Sequence, residues 1–328
     1  MEIGKIPNNI LKEIVLGKIN NKRNEILLRP KIGEDASAVD FRDHICVISS
    51  DPITDAINET GRIAVYVSCN DVAACGAEPL GILITILAPP NTCENDIDTL
   101  ITQISKTADS LNVDIIGGHT EITTAVNHTI IVTTAIGKVL KDKLTTSSGA
   151  QTNDAIILTK TAGIEGTAII AHDKESELLK KLGAEFVNNA KSFINNISVV
   201  EEGIIAANFG VNAMHDATEG GVLGALWEVA EASDKGLIVY SDKIPIAYET
   251  SVICDLFCLD PLRLISSGSM IITCDNGEML VDKLKLNGIE ASIIGKITGK
   301  EEKRILFDKN NKPVIIEQPQ PDELLKIY

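Results

Sequence analysis

Aromatic residues are scarce. Phe, Trp and Tyr make up 3% of the 328 positions, with a single tryptophan. The core must therefore rest on Ile, Leu, Val and Ala, and few rings are left to stack on the bases of a single-stranded nucleic acid. Basic residues are also in the minority: 30 Lys and Arg against 46 Asp and Glu give a net charge of −16. A molecule of that sign repels phosphate backbones, which excludes a general nucleic-acid binder. It leaves room for a nucleotide held through Mg²⁺, since such sites want clustered carboxylates. The bulk of the acidity serves solubility. No apolar run approaches the roughly 20 residues of a membrane span. The most apolar stretch, Leu80 to Pro90, is short, carries Thr85 and ends on two prolines. The opening residues, MEIGKIPNNI, lack the basic start and apolar middle of a secretion signal. A cytoplasmic protein with no membrane partner is expected. The seven cysteines contain no C-x-x-C pair and their number is odd, which argues against a disulfide scaffold and a zinc site. Cys254 and Cys258, four apart, would share one face of a helix. Buried structural thiols are the simpler reading. The sequence also has no G-x-x-x-x-G-K-[ST], no G-x-G-x-x-G after a strand and no G-x-S-x-G. If ATP binds, it does so by another architecture.

What is present is an alternation of helix-like and strand-like segments. Ile97, Leu100, Ile101, Ile104, Ala108 and Leu111 fall on one helical face. A short strand, Val113 to Ile116, then ends in Gly117-Gly118. Further helices are expected near 8–19, 62–76, 176–191, 199–208 and 220–233, and strands near 45–49, 80–87, 129–139, 156–159, 237–241, 269–274 and 290–298. This mixture reads as an α+β protein. The polar stretch LTTSSGAQTN, Leu144 to Asn153, separates two segments of similar length. Domains of 1–148 and 149–328 are expected. The tail from Gln318, with Pro319 and Pro321, is expected to be mobile.

Five clusters carry chemistry. They are Gly33-Glu34-Asp35-Ala36, Ser49-Ser50-Asp51-Pro52, Asn70-Asp71-Val72-Ala73, Gly117-Gly118-His119-Thr120-Glu121, and His215-Asp216-Ala217-Thr218-Glu219-Gly220-Gly221. Three follow a strand, where α/β proteins commonly build ligand sites. Gathered carboxylates repel one another, and become favourable around a cation or when some are protonated. Neighbouring glycines let the backbone approach phosphate closely. Alone, each cluster has an ordinary reading: a turn at Gly33, a strand exit at Asp51, helix-internal polar residues at Asn70 and Asp71, and a loop histidine at His119. Asp216 with Thr218, Gly220 and Gly221 can equally cap the helix that carries Trp227. The order of all five in one chain is the specific signal.

In that order the chain resembles the superfamily of aminoimidazole ribonucleotide (AIR) synthase, selenophosphate synthetase, thiamine-monophosphate kinase and the hydrogenase-maturation protein HypE. HypE-like proteins resemble it most. The strongest match is VNAMHDATEGGVLG, Val211 to Gly224, which is similar to the Asp-Ala/Pro-Thr-Arg-Gly-Gly-Val signature. The resemblance implies a two-domain AIR synthase-like α+β fold. The N-terminal domain would lend strands to a β-barrel shared by a homodimer, and the C-terminal domain would be an α/β sandwich. It implies ATP and Mg²⁺ in the cleft between domains. Asp35, Asp51, Asp71, Asp216 and Glu121 are the implied metal ligands, and Gly33, Asn70, Gly117, Gly118, Thr218, Gly220 and Gly221 the implied nucleotide contacts. Asp216 and His119 are the candidate catalytic residues, His119 as a general base or hydrogen-bond donor.

Three departures stand out. HypE ends in a Pro-Arg-Ile-Cys-like tail whose cysteine carries a carbamoyl group, whereas no cysteine follows Cys274 here. A tyrosine phenol cannot form the thiocarbamate. Glu219 stands where the signature has arginine, and His119 where relatives commonly carry an acid. The leading expectation is an ATP-dependent enzyme that phosphorylates or activates an oxygen of an unidentified small substrate. The alternatives are a regulatory nucleotide-binding dimer without turnover, and a HypE-type maturation factor whose thiol another chain supplies.

Overall fold

The computed structural model describes residues 8–10, 12–13, 16, 24–28, 31–34, 36–54 and 58–327. Of the helix expected near 8–19, only one turn, α1 (Asn8–Ile10), is regular helix within the described residues.

The described strands up to residue 140 form a six-stranded sheet in the order β1-β2-β3-β6-β4-β5. Its strands are β1 (Ile26–Leu28), β2 (Ser37–Phe41), β3 (His44–Ile53), β4 (Glu78–Ala88), β5 (Asp114–Ile122) and β6 (Ile130–Leu140). β3, β6 and β4 pair antiparallel, and β5 adds in parallel at the edge. Two helices accompany the sheet, α2 (Thr60–Ala74) and α3 (Glu94–Ser110). Alternation decides which side of β3 is covered: Ile45, Val47 and Ser49 are buried, while His44 and Ser50 on the opposite side are exposed. The Gly117-Gly118 pair does not end a strand as expected. β5 runs straight through it.

The second half is built on a seven-stranded sheet, β13-β12-β9-β11-β7-β10-β8. Its strands are β7 (Ala155–Thr159), β8 (Ala213–Asp216), β9 (Gly236–Tyr240), β10 (Met270–Cys274), β11 (Ala291–Thr298), β12 (Arg304–Phe307) and β13 (Pro313–Ile315). The helices are α4 (Ile164–Asp173), α5 (Glu175–Leu182), α6 (Ala184–Ser192), α7 (Val200–Phe209), α8 (Gly221–Ala232), α9 (Tyr248–Phe257) and α10 (Gly277–Leu286). The single helix expected over 176–191 is two, α5 and α6, because Gly183 breaks it at φ 84°. Cys258 leaves α9 in a left-handed conformation, so it is exposed while Cys254 is buried, and the two do not share a face. The tail is not loose: Asp322, Glu323 and Leu324 are buried.

The two halves meet along α2. This helix is buried on almost every side, which its small and β-branched residues permit. It packs against β3 and β6 of its own sheet and against α7 and β8 of the other half. Ile63 and Tyr66 join one apolar cluster with Ile164, Ile169, Leu264 and Leu324. Contact with α7 is close enough to require glycine: a Cβ on Gly203 would stand 2.2 Å from the Ala73 carbonyl oxygen. Gly203→Ala is therefore expected to lower stability by roughly 1–3 kcal/mol, read as an earlier midpoint in urea unfolding. An unchanged midpoint would mean that α2 and α7 are not in this contact.

Candidate functional site

The β3 strand delivers Ser49 and Asp51 to the α2 side of the first sheet, two residues apart and so on one face. Ser49 Oγ lies 3.1 Å from Asp51 Oδ2 and 2.5 Å from Asp71 Oδ2 on α2. A hydroxyl carries one proton, so two carboxylates here converge on a single donor atom. Asp71 is buried and Asp51 half-buried. The next residue toward the helix start, Asn70, is not turned to a ligand. Its Nδ2 donates to the Ile197 carbonyl at 2.8 Å and its Oδ1 accepts from the Val199 amide at 2.8 Å. Both ends of the amide are spent on holding the two halves together.

Across the seam, Asp216 ends β8, the strand against which α2 packs, and is 1% exposed. The chain then turns through Thr218, Glu219, Gly220 and Gly221 into α8. Gly220 and Gly221 have φ of 80° and 63°. A Cβ on Gly221 would meet the Leu262 and Leu264 carbonyl oxygens at 2.7 Å. The Gly220 amide donates to Asp322 Oδ2 at 2.8 Å, so a carboxylate from the chain's own tail sits at this helix start. Asp322 Oδ1 also accepts from the Ile265 and Leu324 amides. Burial nevertheless pushes Asp322 up to about 6.

The loop around Gly33 docks on α8, since a Cβ there would lie 2.8 Å from the Glu228 carbonyl oxygen. Glu34 accepts from the Ser147 and Ser148 amides, and burial raises its pKa against their pull. His215 Nε2 stands 2.9 Å from Glu228 Oε2. Asp35 lies outside the described residues. His119 and Glu121 are not at this seam. They lie on β5, three strand spacings or about 14 Å from β3, both more than half exposed and 3.4 Å from each other. Through the register Leu83–Gly117 and Thr85–His119 they share the sheet face opposite to the one that buries Ile84 and Ile86. Gly117 and Gly118 sit in the same strand. A Cβ on Gly118 would come within 1.9 Å of the Ile84 carbonyl oxygen, so the pair serves strand packing. The structure thus brings Asp51 and Asp71 together, places Asp216 at the end of β8 in the other sheet, a strand against which α2 packs, and leaves His119 and Glu121 apart. Among the described residues no three His, Cys, Asp or Glu side chains have the spacing of a metal cluster.

The sequence reading missed Ser49 as the link between carboxylates, and it missed Glu165 and Asp322 altogether. Glu165, on α4, is buried next to the Glu219 turn. Burial pushes its carboxyl up to about 7, and Asp322 and Glu219 add to the shift while Ser267 opposes it. A cleft of about 770 Å³ lies among α2, α3, α7 and the end of α10, and none of the expected site residues lines it.

Two sequence profiles match the chain: AIR synthase related protein, N-terminal domain, over residues 33–139, and AIR synthase related protein, C-terminal domain, over 151–308. A protein of Methanocaldococcus jannaschii named for hydrogenase expression and formation is 29% identical, over 99% of this chain and 97% of its own. The carbamoyl dehydratase HypE of Cupriavidus necator is 26% identical over 75% of this chain and 67% of its own. Among solved structures, a HypE–HypF complex superposes with a TM-score of 0.78 at 18% identity, covering 94% and 99% of the two chains. HypE in complex with ATP superposes at 0.69 and 18% identity, covering 98% and 97%.

The raised Glu165 carboxyl has a measurable consequence. The folded state holds its proton up to about pH 7, whereas the unfolded chain releases it near the ordinary glutamate value of 4.5. Stability contributed by this group is fully present below pH 4.5 and is lost between 4.5 and 7, at a limiting slope of about 1.4 kcal/mol per pH unit. The melting temperature of Glu165→Gln relative to the parent is expected to rise across that window and level off above it. A difference independent of pH would show that Glu165 is not buried in its acid form.

Proposed function

The chain belongs to the AIR synthase related family, and from that premise we propose that it binds ATP with Mg²⁺ at the α2 seam and uses it to phosphorylate or activate an oxygen of a small substrate. The observation that carries this reading is the convergence of Asp51 and Asp71 on Ser49, beside the strand that ends in Asp216. Two carboxylates so close are stabilised by a cation. Mg²⁺ asks for few protein ligands and completes its shell with phosphate oxygens and water, so the pair fits it without a third acid. Asp51 and Asp71 would hold the ion. Its chemistry there is to neutralise the phosphate charge that grows as a phosphoryl group transfers. Asp216 would orient the reacting oxygen or share the metal from the other half. The solved ATP complex of HypE supports the choice of nucleotide. The expected test is calorimetric titration of a non-hydrolysable ATP analogue. Binding should require Mg²⁺ and weaken at least tenfold in Asp71→Asn and in Asp216→Asn, the loss of one charged contact. Binding that ignores both Mg²⁺ and the substitutions would reject the site.

A second reading, a hydrogenase-maturation role, is favoured by the names of the full-length relative and of HypE. It shares the nucleotide site and differs in the acceptor. A dimer without turnover would bind the analogue yet release no phosphate from ATP.

We further propose that two copies join through the open face and edge of the first sheet. Phe41, Leu83, Ile115, Ile116, Ile122 and Leu140 are exposed there, and apolar side chains gathered on one surface mark an interaction site. His119 and Glu121 would then lie at the interface rather than in solvent. Ile116→Glu is expected to convert a dimer into a monomer in sedimentation. A parent that sediments as a monomer at micromolar concentration would refute the assembly.

A further inference from the structure

Where the end of β3 meets the turn before α8 there is a cavity of about 90 Å³. Its walls are mostly apolar, with Ile53 and Ile63 from the first half and Ile169, Ile265 and Leu324 from the second. Its charged groups are all of one sign. Glu165, Glu219 and Asp322 line it, and among the described residues no lysine, arginine or histidine does. Glu165 is 3% exposed and its Oε2 has no hydrogen-bond partner. Ser267, through its hydroxyl and its amide, supports the same carboxyl from outside the cavity. Asp322 is held in place by three backbone amides. The cavity is thus an acidic pocket with one buried carboxyl oxygen left unserved.

An unserved buried polar atom costs about 1–3 kcal/mol, more when it is charged. Like charges add to that cost: Asp322 and Glu219 raise the Glu165 carboxyl, and Glu219 raises that of Asp322. Both are relieved by a ligand that brings positive charge and N–H donors. A bare divalent ion does not suit the spacing of these acids. An ammonium group on a hydrocarbon stem does: it offers three donors, and the isoleucines around the carboxyls would enclose the stem. Glu219 points the same way. It occupies the position that the family signature gives to arginine, and reversing the sign of a recognition group reverses the sign of what it selects.

We propose that this cavity receives the protonated primary amine of the acceptor substrate, recognised by the Glu219 carboxylate and by Glu165, which releases its proton to solvent as the ammonium takes its place. The assignment rests on the ATP-dependent reading above for the word acceptor, and on the cavity alone for the amine. It makes the substrate an aminoalkyl compound, and it makes Glu219 a specificity-determining residue rather than a lost phosphate contact.

The test uses n-butylammonium as probe and 1-butanol as its neutral counterpart. Each is titrated into the full-length protein at constant ionic strength, with binding read by ligand-observed NMR. The amine is expected to bind saturably and at least tenfold tighter than the alcohol. Glu165→Gln and Glu219→Gln should each weaken it by about tenfold, the effect of one charge-assisted hydrogen bond. Glu219 is only partly buried, so its variant is the one that keeps the fold if Glu165→Gln does not. Equal binding of amine and alcohol, or amine binding unchanged in Glu219→Gln, overturns the proposal. Titrating the ATP analogue into the same samples separates the two claims. Amine selectivity without nucleotide binding removes the ATP reading and leaves the cavity assigned. Nucleotide binding without amine selectivity removes only the assignment made here.

Discussion

Everything near the seam depends on α2 being buried from both sides. A helix that served one sheet would carry an apolar stripe and a polar face. α2 instead packs its own sheet with one side and α7 and β8 with another, so its residues are small or branched and even Ser68, Asn70 and Asp71 are withdrawn from water. That double burial fixes where Asp71 can be. It also explains the glycine in α7, since only a residue without a Cβ lets a neighbouring backbone come so close. Asn70 gives the packing its register: an amide that donates to one backbone group and accepts from another two residues on tolerates little sliding.

Placing acids in such a seam has a cost that the rest of the fold carries. Glu34 is answered by two backbone amides, Asp322 by three and His215 by Glu228. Glu165 is not fully answered, and its carboxyl shifts upward accordingly. The apolar cluster of Ile63, Tyr66, Ile164 and Leu324 next to these groups supplies compensating burial. Stability is surrendered locally where a ligand could restore it, and this is the usual pattern at functional sites.

Much of the architecture was legible from local pattern. Ile104 and Ala108 are buried as their spacing on α3 required, the strands over 45–49 and 80–87 lie within β3 and β4, and the strand over 269–274 matches β10 except at its first residue. The misses have physical causes. α4 is a largely apolar helix, so period alone does not announce it, and α9 buries only Thr250, Ile253 and Cys254, too few to mark a stripe. Gly117-Gly118 looked like punctuation, but glycine in an edge strand equally marks close backbone approach. At the candidate site, the motif order singled out Asp51 and Asp71, which the fold brings to one hydroxyl. It could not say that Asn70 is a clamp, because a polar residue beside an aspartate has the same signature whether it faces a ligand or a backbone. Glu165 and Asp322 were invisible because no local signal separates a surface acid from one that folding brings into an interior 157 residues away, from α4 to the tail.

The occupant of the α8 start bears on where phosphate can go. A helix N-terminus with two glycines is an obvious anion site, and the sequence reading gave Gly220 and Gly221 to the nucleotide. The Gly220 amide already serves Asp322, and Gly221 is enclosed by the Leu262 and Leu264 carbonyls. One N–H cannot serve a buried carboxylate and a phosphate at full strength, and displacing Asp322 would free a second acid beside Glu165 and Glu219. Phosphate charge is also poorly matched to a turn that carries Glu219. The carboxylates on the β3 and α2 side differ in the respect that matters. They converge on one hydroxyl, and a cation bound there would let an acidic protein hold an anionic nucleotide. On the proposed reading the two sides of the seam would divide the work by charge, with metal-bound phosphate at Asp51 and Asp71 and positive charge at Glu165 and Glu219.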